Sequence, residues 1–258
     1  MSLKHVSMLV FVVTALFVHT AAAQQRQEVL LLTYHLKAPF IVDLGTQQGL
    51  YFELAHYLNQ RSTKYWYKTE FVPRKRLDAM LQRPFPHVVV GVQPVWFKQL
   101  GDRMRFSKPI LRDSDVFISL KKNAVSDVSP VGLKGKTLLG VQGYRYVGIE
   151  QALNNGNLMR VDTLQEEHVL DMLRLGRGDF AIISLSTLNY IFLQGEDKTQ
   201  FYIADEPHES INRSLMFSSA DLELQHELHE LVVTMPNDPE WLALLAKYNL
   251  DQHFLPAF

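Results

Sequence analysis

Short apolar runs alternate with amphipathic stretches along the chain from residue 24 onward. Uninterrupted apolar runs of strand length are typical of buried parallel strands. Apolar residues at every third or fourth position are typical of helices that pack one face on a core. The predicted strands are 29–34, 65–72, 87–92, 114–120, 137–141, 180–185, 201–203 and 214–218. The predicted helices are 47–61, a short helix that begins at Pro73, 146–153, 163–175, 221–234 and 239–249.

This alternation of strands and helices predicts an α/β protein with parallel sheets. The polar stretch 123–130 is interpreted as a linker. Near the C-terminus, Asp238 is predicted to cap the last helix, with Pro239 in the first turn. The pattern predicts the class of fold but leaves the order of the strands open.

Composition removes several classes of function. The chain has 258 residues, a formal net charge of −1 and no cysteine. The balanced charge lacks the basic excess that nucleic-acid-binding proteins normally show, so we expect no nucleic-acid partner. The absence of cysteine excludes disulfides, thiolate zinc sites, cysteine nucleophiles and iron–sulfur clusters.

Residues 1–23 have the pattern of a secretory signal. Lys4 supplies a positive start, 6–18 an apolar core and 21–23 three alanines suited to cleavage. The apolar run is shorter than the ~20 residues of a membrane-spanning helix. No cysteine is present for lipidation, so the expected location is the periplasm, with the signal removed near Ala23 and no stable membrane insertion afterwards.

Four segments share features with one family and follow each other in its order. They are QGLYFELAHYL, which begins the first helix, then RMRFSKPIL, LKGKTLLGVQG and LRLGRGDFAIIS. Their order and separation resemble bacterial extracellular solute-binding proteins of family 3, the periplasmic receptors of polar amino-acid ABC transporters. The matching segments extend over the whole chain after the signal.

The resemblance implies a type II periplasmic-binding-protein fold, in which two α/β lobes are joined by a two-strand hinge. Lobe 1 is expected at 24–118 plus 210–258, and lobe 2 at 119–209. A ligand held between the lobes would favour their closure. The expected protein is a monomer that takes up a small molecule for an ABC transporter permease or a membrane sensor.

The residues at the ligand-contacting positions differ from the family pattern. The family's carboxylate-binding arginine corresponds to Lys98, and a threonine position next to it holds Gln93. The acids expected at two further positions are replaced by Ser184 and Tyr51. An ordinary α-amino acid is therefore a poor fit to this cleft, since two of three charged contacts have become neutral.

Chain order adds further candidates for ligand contact. Tyr34 and His35 end the first strand, and Trp96 lies where the family contacts its ligand. Tyr144 and Arg145 lie in a loop between a strand and a predicted helix, where helix N–H groups favour an anion. The alternatives are core packing for Tyr34 and Trp96, and solvated surface positions for His35 and Arg145.

No catalytic, metal-binding or cofactor motif is found. HELH at 226–229 is one residue short of H-E-x-x-H, and GKT at 135–137 lacks the upstream glycine of a P-loop. We therefore expect no catalytic residue, no metal and no cofactor.

Two other functions stay open beside the receptor. One is a periplasmic enzyme like cyclohexadienyl dehydratase, which resembles the same receptor fold and needs a positioned acid in the cleft. Glu53 is a possible acid, although a helix-start carboxylate is the simpler interpretation. The other is a ligand-free partner that docks on a membrane sensor protein.

Overall fold

A computed structural model describes residues 25–256, and the predicted signal at 1–23 lies outside the described residues. The strands are β1 Gln27–Thr33, β2 Tyr65–Phe71, β3 Val88–Val92, β4 Met104–Phe106, β5 Leu111–Leu120, β6 Thr137–Val141, β7 Met159–Thr163, β8 Phe180–Ser184, β9 Phe201–Ile203 and β10 Glu209–Ser218. The α-helices are α1 Leu50–Arg61, α2 Arg74–Met80, α3 Glu150–Asn154, α4 Val169–Arg174, α5 Leu185–Leu193, α6 Leu222–Thr234 and α7 Pro239–Lys247. None of the helices in this range is long and apolar enough to cross a membrane.

Strand β10 connects two groups of strands. The overall order is β2-β1-β3-β10-β5-β8-β6-β7, with β4 on β10 and β9 on β5. The first half of β10 pairs antiparallel with β5, from Glu209 opposite Asp115 to Arg213 opposite Leu111. Its second half pairs with β3 and β4. The chain therefore passes between the two groups along paired strands.

Two lobes form around these groups, each with an apolar cluster on both faces of its strands. In the first lobe, α1, α6 and α7 pack on one face of β1–β3, and α2 with the 3₁₀ segment Pro94–Arg103 packs on the other. In the second lobe, α4 and α5 cover one face of β5, β6 and β8, and the loops around α3 cover the other. The predicted α/β class is confirmed, while the exact lobe boundaries stay a prediction.

Three predictions of local structure were wrong. The strand β7 was not predicted because it is a polar edge strand. The helix predicted at 146–153 begins only at Glu150, since the hydroxyl of Tyr146 accepts a hydrogen bond from the Val141 backbone (2.9 Å) and holds the chain against β6. The helix predicted at 163–175 is shortened to α4, because its first residue belongs to β7.

Helix α5 was also missed, because it has no polar face. It follows β8 directly and reads LSTLNYIFL. Leu185 packs against a cluster of each lobe, Leu188 lies in the second-lobe core, and Tyr190 packs on the first lobe. A helix placed between two cores does not show the apolar periodicity by which surface helices are predicted. The cap of α7 by Asp238, whose side chain accepts from the Glu240 N–H (2.9 Å), is confirmed.

Gly91 in β3 lies directly against a buried tyrosine. Its φ is +76°, and a Cβ there would lie 1.8 Å from the hydroxyl oxygen of Tyr51. Only glycine permits this approach, because any side chain would meet both a steric clash and an unfavourable backbone conformation. The carbonyl of Gly91 in turn accepts from Arg213 (3.2 Å), so this position holds the first lobe close to the crossing strands.

Gly91→Ala is expected to lower the free energy of unfolding by clearly more than Gly101→Ala. Gly101 also has a positive φ (+53°) but open space around its Cβ. Gly101→Ala should therefore show only the backbone cost of about 1–3 kcal/mol, since its φ of 53° and ψ of −140° lie in a sparsely populated region. Urea unfolding measures both variants, and adding Tyr51→Phe to Gly91→Ala should recover part of the loss. Equal losses for the two glycines would contradict the packing argument.

Candidate functional site

The site is built where strands of both lobes end. Tyr34 and His35 directly follow β1, Gln93 directly follows β3, and Ser184 is the last residue of β8. The carboxyl ends of strands are where open α/β sheets bind their ligands. The structure therefore brings four of the predicted site residues to the junction of the lobes.

Aromatic side chains form one wall of this junction. The rings of Tyr34 and His35 lie 4.1 Å apart, those of His35 and Trp96 5.7 Å, and those of Tyr34 and Phe97 6.3 Å. The Arg74 guanidinium lies over the Tyr34 ring at 5.0 Å. Such a surface suits a ring or a flat polar group.

Burial controls the protonation of this wall. It lowers the pKa of His35 well below 6.5, and the positive charges of Arg213, Lys37 and Arg74 add to the effect. Burial also raises the pKa of Tyr34 to about 12, against the opposing charge of Arg74. Both rings are therefore neutral at pH 7, and the buried Nδ1 of His35 has no hydrogen-bond partner in the structure.

A buried ion pair lies behind the wall. The Arg213 guanidinium donates to Asp113 Oδ2 through Nε (3.0 Å) and Nη2 (2.7 Å). The backbone N–H and the hydroxyl of Ser186 donate to the same carboxylate at 3.1 and 2.7 Å. Burial acts to lower the pKa of Arg213, but Asp113, Tyr51 and Asp115 together outweigh it and the pKa is raised. The pair joins the crossing strands to the start of α5.

A second buried ion pair connects the two lobes. Lys37, in the loop after β1, is 6% exposed. Its ammonium donates to both carboxylate oxygens of Glu166 (3.1 Å each) and to the Ser184 hydroxyl. Ser184 donates onward to Asp115 (2.8 Å). Burial raises the pKa of Glu166, and the Lys37 ammonium opposes that shift.

The backbone next to Lys37 is also bound to the second lobe. The Ala38 N–H donates to Glu167 (3.0 Å), and its carbonyl accepts from the Thr187 hydroxyl (2.7 Å). Phe40, a few residues on, lies in the first-lobe core. One short segment of the first lobe is thus held by four residues of the second.

Gln93 connects the first lobe to the hinge-strand acids. Its side-chain amide donates to Glu209 (2.8 Å), which lies opposite Asp115 on the neighbouring strand. Asp115, His208 and Glu209 each place one ligand atom within 4.8 Å of the others, a set that suits a divalent cation. The sequence did not indicate this group, because Asp115 lies far along the chain from the adjacent residues His208 and Glu209.

The remaining predicted residues are placed differently. The Tyr144 ring lies 5.9 Å from the Lys37 ammonium, and burial raises its pKa well above the usual value. Tyr51 lies in the first-lobe core, stacked on Phe40 (4.9 Å). Lys98 and Arg145 are exposed. Helix α3 begins only at Glu150, so the helix N–H groups expected next to Arg145 lie further along the chain, and ligand contact by Arg145 stays a prediction.

Sequence reasoning missed the charged residues at the centre of the junction: Lys37, Asp113, Asp115, Glu166, His208, Glu209 and Arg213. The signal was present for some of them. Lys37 follows a buried strand by a few residues, and the first half of β5 contains two acids, Asp113 and Asp115. Glu53, the acid considered earlier, instead accepts from the Tyr248 hydroxyl (2.7 Å) in the first lobe.

Comparison with known proteins identifies the fold. No protein-family model and no curated protein matches this sequence. Among solved structures, Tv2483 bound to L-arginine is 14% identical with a TM-score of 0.67, covering 92% of this chain and 97% of its own. The ancestral amino acid-binding protein AncCDT-1, a precursor of cyclohexadienyl dehydratase, is 18% identical with a TM-score of 0.61, covering 86% and 95%. The VFT2 domain of Bordetella pertussis BvgS, a double mutant, is 16% identical with a TM-score of 0.61, covering 86% and 93%.

These likenesses confirm the predicted type II periplasmic-binding-protein fold with two lobes. At such low identities they show the fold alone. The site must therefore be interpreted from its own residues.

The neutral state of His35 makes stability depend on pH. Below about pH 6.5 the unfolded chain takes up a proton at this residue while the folded chain does not, so the free energy of unfolding falls as the pH drops. Between pH 7.5 and 5.5 this contributes about 1 kcal/mol. His35→Phe keeps a ring between Tyr34 and Trp96 and should remove that share of the pH dependence.

Urea unfolding at the two pH values measures the effect in the wild-type chain and the variant. His229→Gln, at an exposed position on α6, controls for the loss of an imidazole in general. An equal loss of stability on acidification in His35→Phe and the wild type would contradict the claim that folded His35 is neutral.

Proposed function

We propose that this protein is a receptor that captures a small polar or aromatic ligand between its lobes and presents it to an ABC transporter or a membrane sensor. The observation that carries the proposal is that polar side chains from different strand ends come together here, Gln93 with Glu209 and Lys37 with Ser184. The first lobe contributes Tyr34, His35 and Trp96, and the second contributes acids and hydroxyls around Ser184. The binding-protein fold, shared with a protein solved with L-arginine, supports this proposal.

Six of the predicted residues belong to the proposed binding site: Tyr34, His35, Gln93, Trp96, Tyr144 and Ser184. Lys98 and Arg145 are left out because they are exposed, and the described residues make no hydrogen bond or ion pair with either side chain. Tyr51 is left out because it is 1% exposed in the core. The site thus depends on aromatic contact and hydrogen bonding more than on an arginine clamp.

The remaining parts of the proposal concern location and lobes. We place the lobes at 24–118 plus 210–258 and at 119–209, with the paired strands β5 and β10 as the hinge between them. The secretory pattern of 1–23 supports a periplasmic location. Ligand binding would then shift the balance towards closed lobes by its difference in affinity for the two states.

A screen by thermal unfolding tests the proposal on residues 24–258. The panel contains amino acids, polyamines, organic acids, aromatic acids and peptidoglycan fragments. A ligand at 100 times its dissociation constant stabilises the folded state by about 2.7 kcal/mol, a shift of several degrees. A panel without any stabilising compound would contradict the receptor and favour a ligand-free docking partner of a membrane sensor.

Trp96→Ala is expected to weaken binding of a compound found in that screen at least tenfold, because it removes the indole that lies 5.7 Å from His35. Titration calorimetry measures the dissociation constant. Trp66→Ala is the matched control, since Trp66 is an exposed tryptophan on β2 whose ring contacts Arg26. Equal affinity of Trp96→Ala and wild type would show that the ligand does not contact the aromatic wall.

A dehydratase is the second candidate, and Glu166 is the observation that favours it. The sequence offered only Glu53 as a possible acid, whereas the structure has a buried carboxyl, Glu166, whose pKa is raised by burial beside the Lys37 ammonium. A group of this kind suits proton transfer. Turnover of prephenate or arogenate that Glu166→Gln abolishes would establish the enzyme, and no turnover by the wild type would exclude these reactions.

A further inference from the structure

The second lobe contains a complete binding site for an ammonium group. Glu166 presents both carboxylate oxygens at 3.1 Å, and the Ser184 hydroxyl adds a third acceptor whose own proton is donated to Asp115. The Tyr144 ring lies 5.9 Å from the charge, within the range of a cation–π contact. A carboxylate, a hydroxyl and an aromatic ring are what a protein uses to bind a primary ammonium ion.

The group bound there belongs to the first lobe of the same chain. Lys37 reaches the site from the loop after β1, and the backbone of Ala38 is fixed to Glu167 and Thr187 on either side of it. The positive charge is therefore delivered in a fixed position. Both partners of the ion pair are buried, with side chains 5% and 3% exposed, so the charge is paired inside the protein and not solvated.

We infer that Lys37 is an internal ligand of the second lobe and the specificity-determining residue of the cleft: its ammonium fills the site that a primary-amine ligand would otherwise take. This inference rests on the proposed receptor function and narrows it. The wild-type cleft excludes an ammonium group from the Glu166–Ser184 position, so its ligand must bind against the aromatic wall instead. A single substitution at Lys37 converts the protein into a receptor for free amines.

Lys37→Ala tests the inference by replacing the lost atoms with a free amine. Alanine keeps the Cβ, so n-propylamine supplies the missing three carbons and the ammonium. We expect n-propylamine to raise the melting temperature of Lys37→Ala saturably by several degrees, and to leave the wild type unchanged. The uncharged n-propanol should stabilise neither protein, since the site recognises the charge.

Two further variants separate the ammonium site from a simple cavity. Lys37→Met fills the space without a charge and should not respond to n-propylamine. The double variant Lys37→Ala with Glu166→Gln keeps the cavity but loses the carboxylate. It should need at least tenfold more n-propylamine than Lys37→Ala for the same rise in melting temperature. Equal stabilisation of wild type and Lys37→Ala, or a response to n-propanol equal to that of n-propylamine, would overturn the inference.

Acylation of lysines in the native wild-type chain provides a test that needs no variant to fold. Lys37 should react with an amine-acylating reagent at least tenfold more slowly than Lys75, which is exposed on α2. Peptide mass spectrometry measures both sites in one sample. Reaction of Lys37 at the rate of Lys75 would show that its ammonium is free in solution and would overturn the inference.

The outcomes also separate this inference from the receptor function. If no compound in the panel binds the wild type but n-propylamine binds Lys37→Ala, only the proposed receptor function is contradicted. If the wild type has a ligand but a folded Lys37→Ala is not stabilised by n-propylamine, only the inference on Lys37 is contradicted. A wild-type ligand whose primary amine requires Glu166 would also contradict it, because that position is assigned to Lys37.

Discussion

A charged side chain that is buried between the lobes needs an oppositely charged partner in the same chain. An unpaired buried ion costs several kcal/mol, so the positions of such groups are constrained far more than those of surface charges. Two ion pairs meet this constraint, Arg213 with Asp113 and Lys37 with Glu166. The first fixes the crossing strands against α5, and the second joins a loop of one lobe to the other lobe.

The rest of the site follows from these pairs. Arg213 also donates to the carbonyl of Gly91, so the end of β3 and Gln93 after it are held near the hinge. Burial keeps His35 neutral and the same positive charges add to the effect, so the aromatic wall offers polarisable rings without a charge of its own. A cleft whose charges are already paired suits a ligand that does not depend on a strong ionic contact. This agrees with the expectation from the sequence that an ordinary α-amino acid fits this cleft poorly.

The apolar pattern predicted the α/β class, whereas the two-lobed fold was implied by the family resemblance. Strands such as β6 and β9 were predicted with their observed bounds, because an apolar run of this length is too short for a helix and fits a strand. Helix α5 and strand β7 were missed for opposite reasons, one being apolar on all sides and the other polar at an edge. Helix α5 lacks the period of 3.6, and the alternation in β7 extends over only five residues, too few to indicate a strand.

The candidate site was recovered only in part, and the reason is again physical. Residues next to strand ends, such as His35 and Gln93, could be placed because chain order decides where strand ends meet. Lys37 and Glu166 are 129 residues apart along the chain. Nothing in local sequence indicates which buried charge will pair with which, because the pairing depends on how two lobes come together. Family positions instead pointed to Lys98 and chain order to Arg145, and both side chains lie at the surface.

A double-mutant cycle on Lys37 and Glu166 tests most directly whether the lobes are joined by this buried pair. Urea unfolding would compare the wild type with Lys37→Met, Glu166→Gln and the double variant at pH 7. Each single variant leaves one group buried without its partner, so the double variant should lose less stability than the two losses added together. The account predicts a coupling free energy above about 1 kcal/mol. Additive losses, within about 0.5 kcal/mol, would show that the two side chains do not interact in solution and would contradict it.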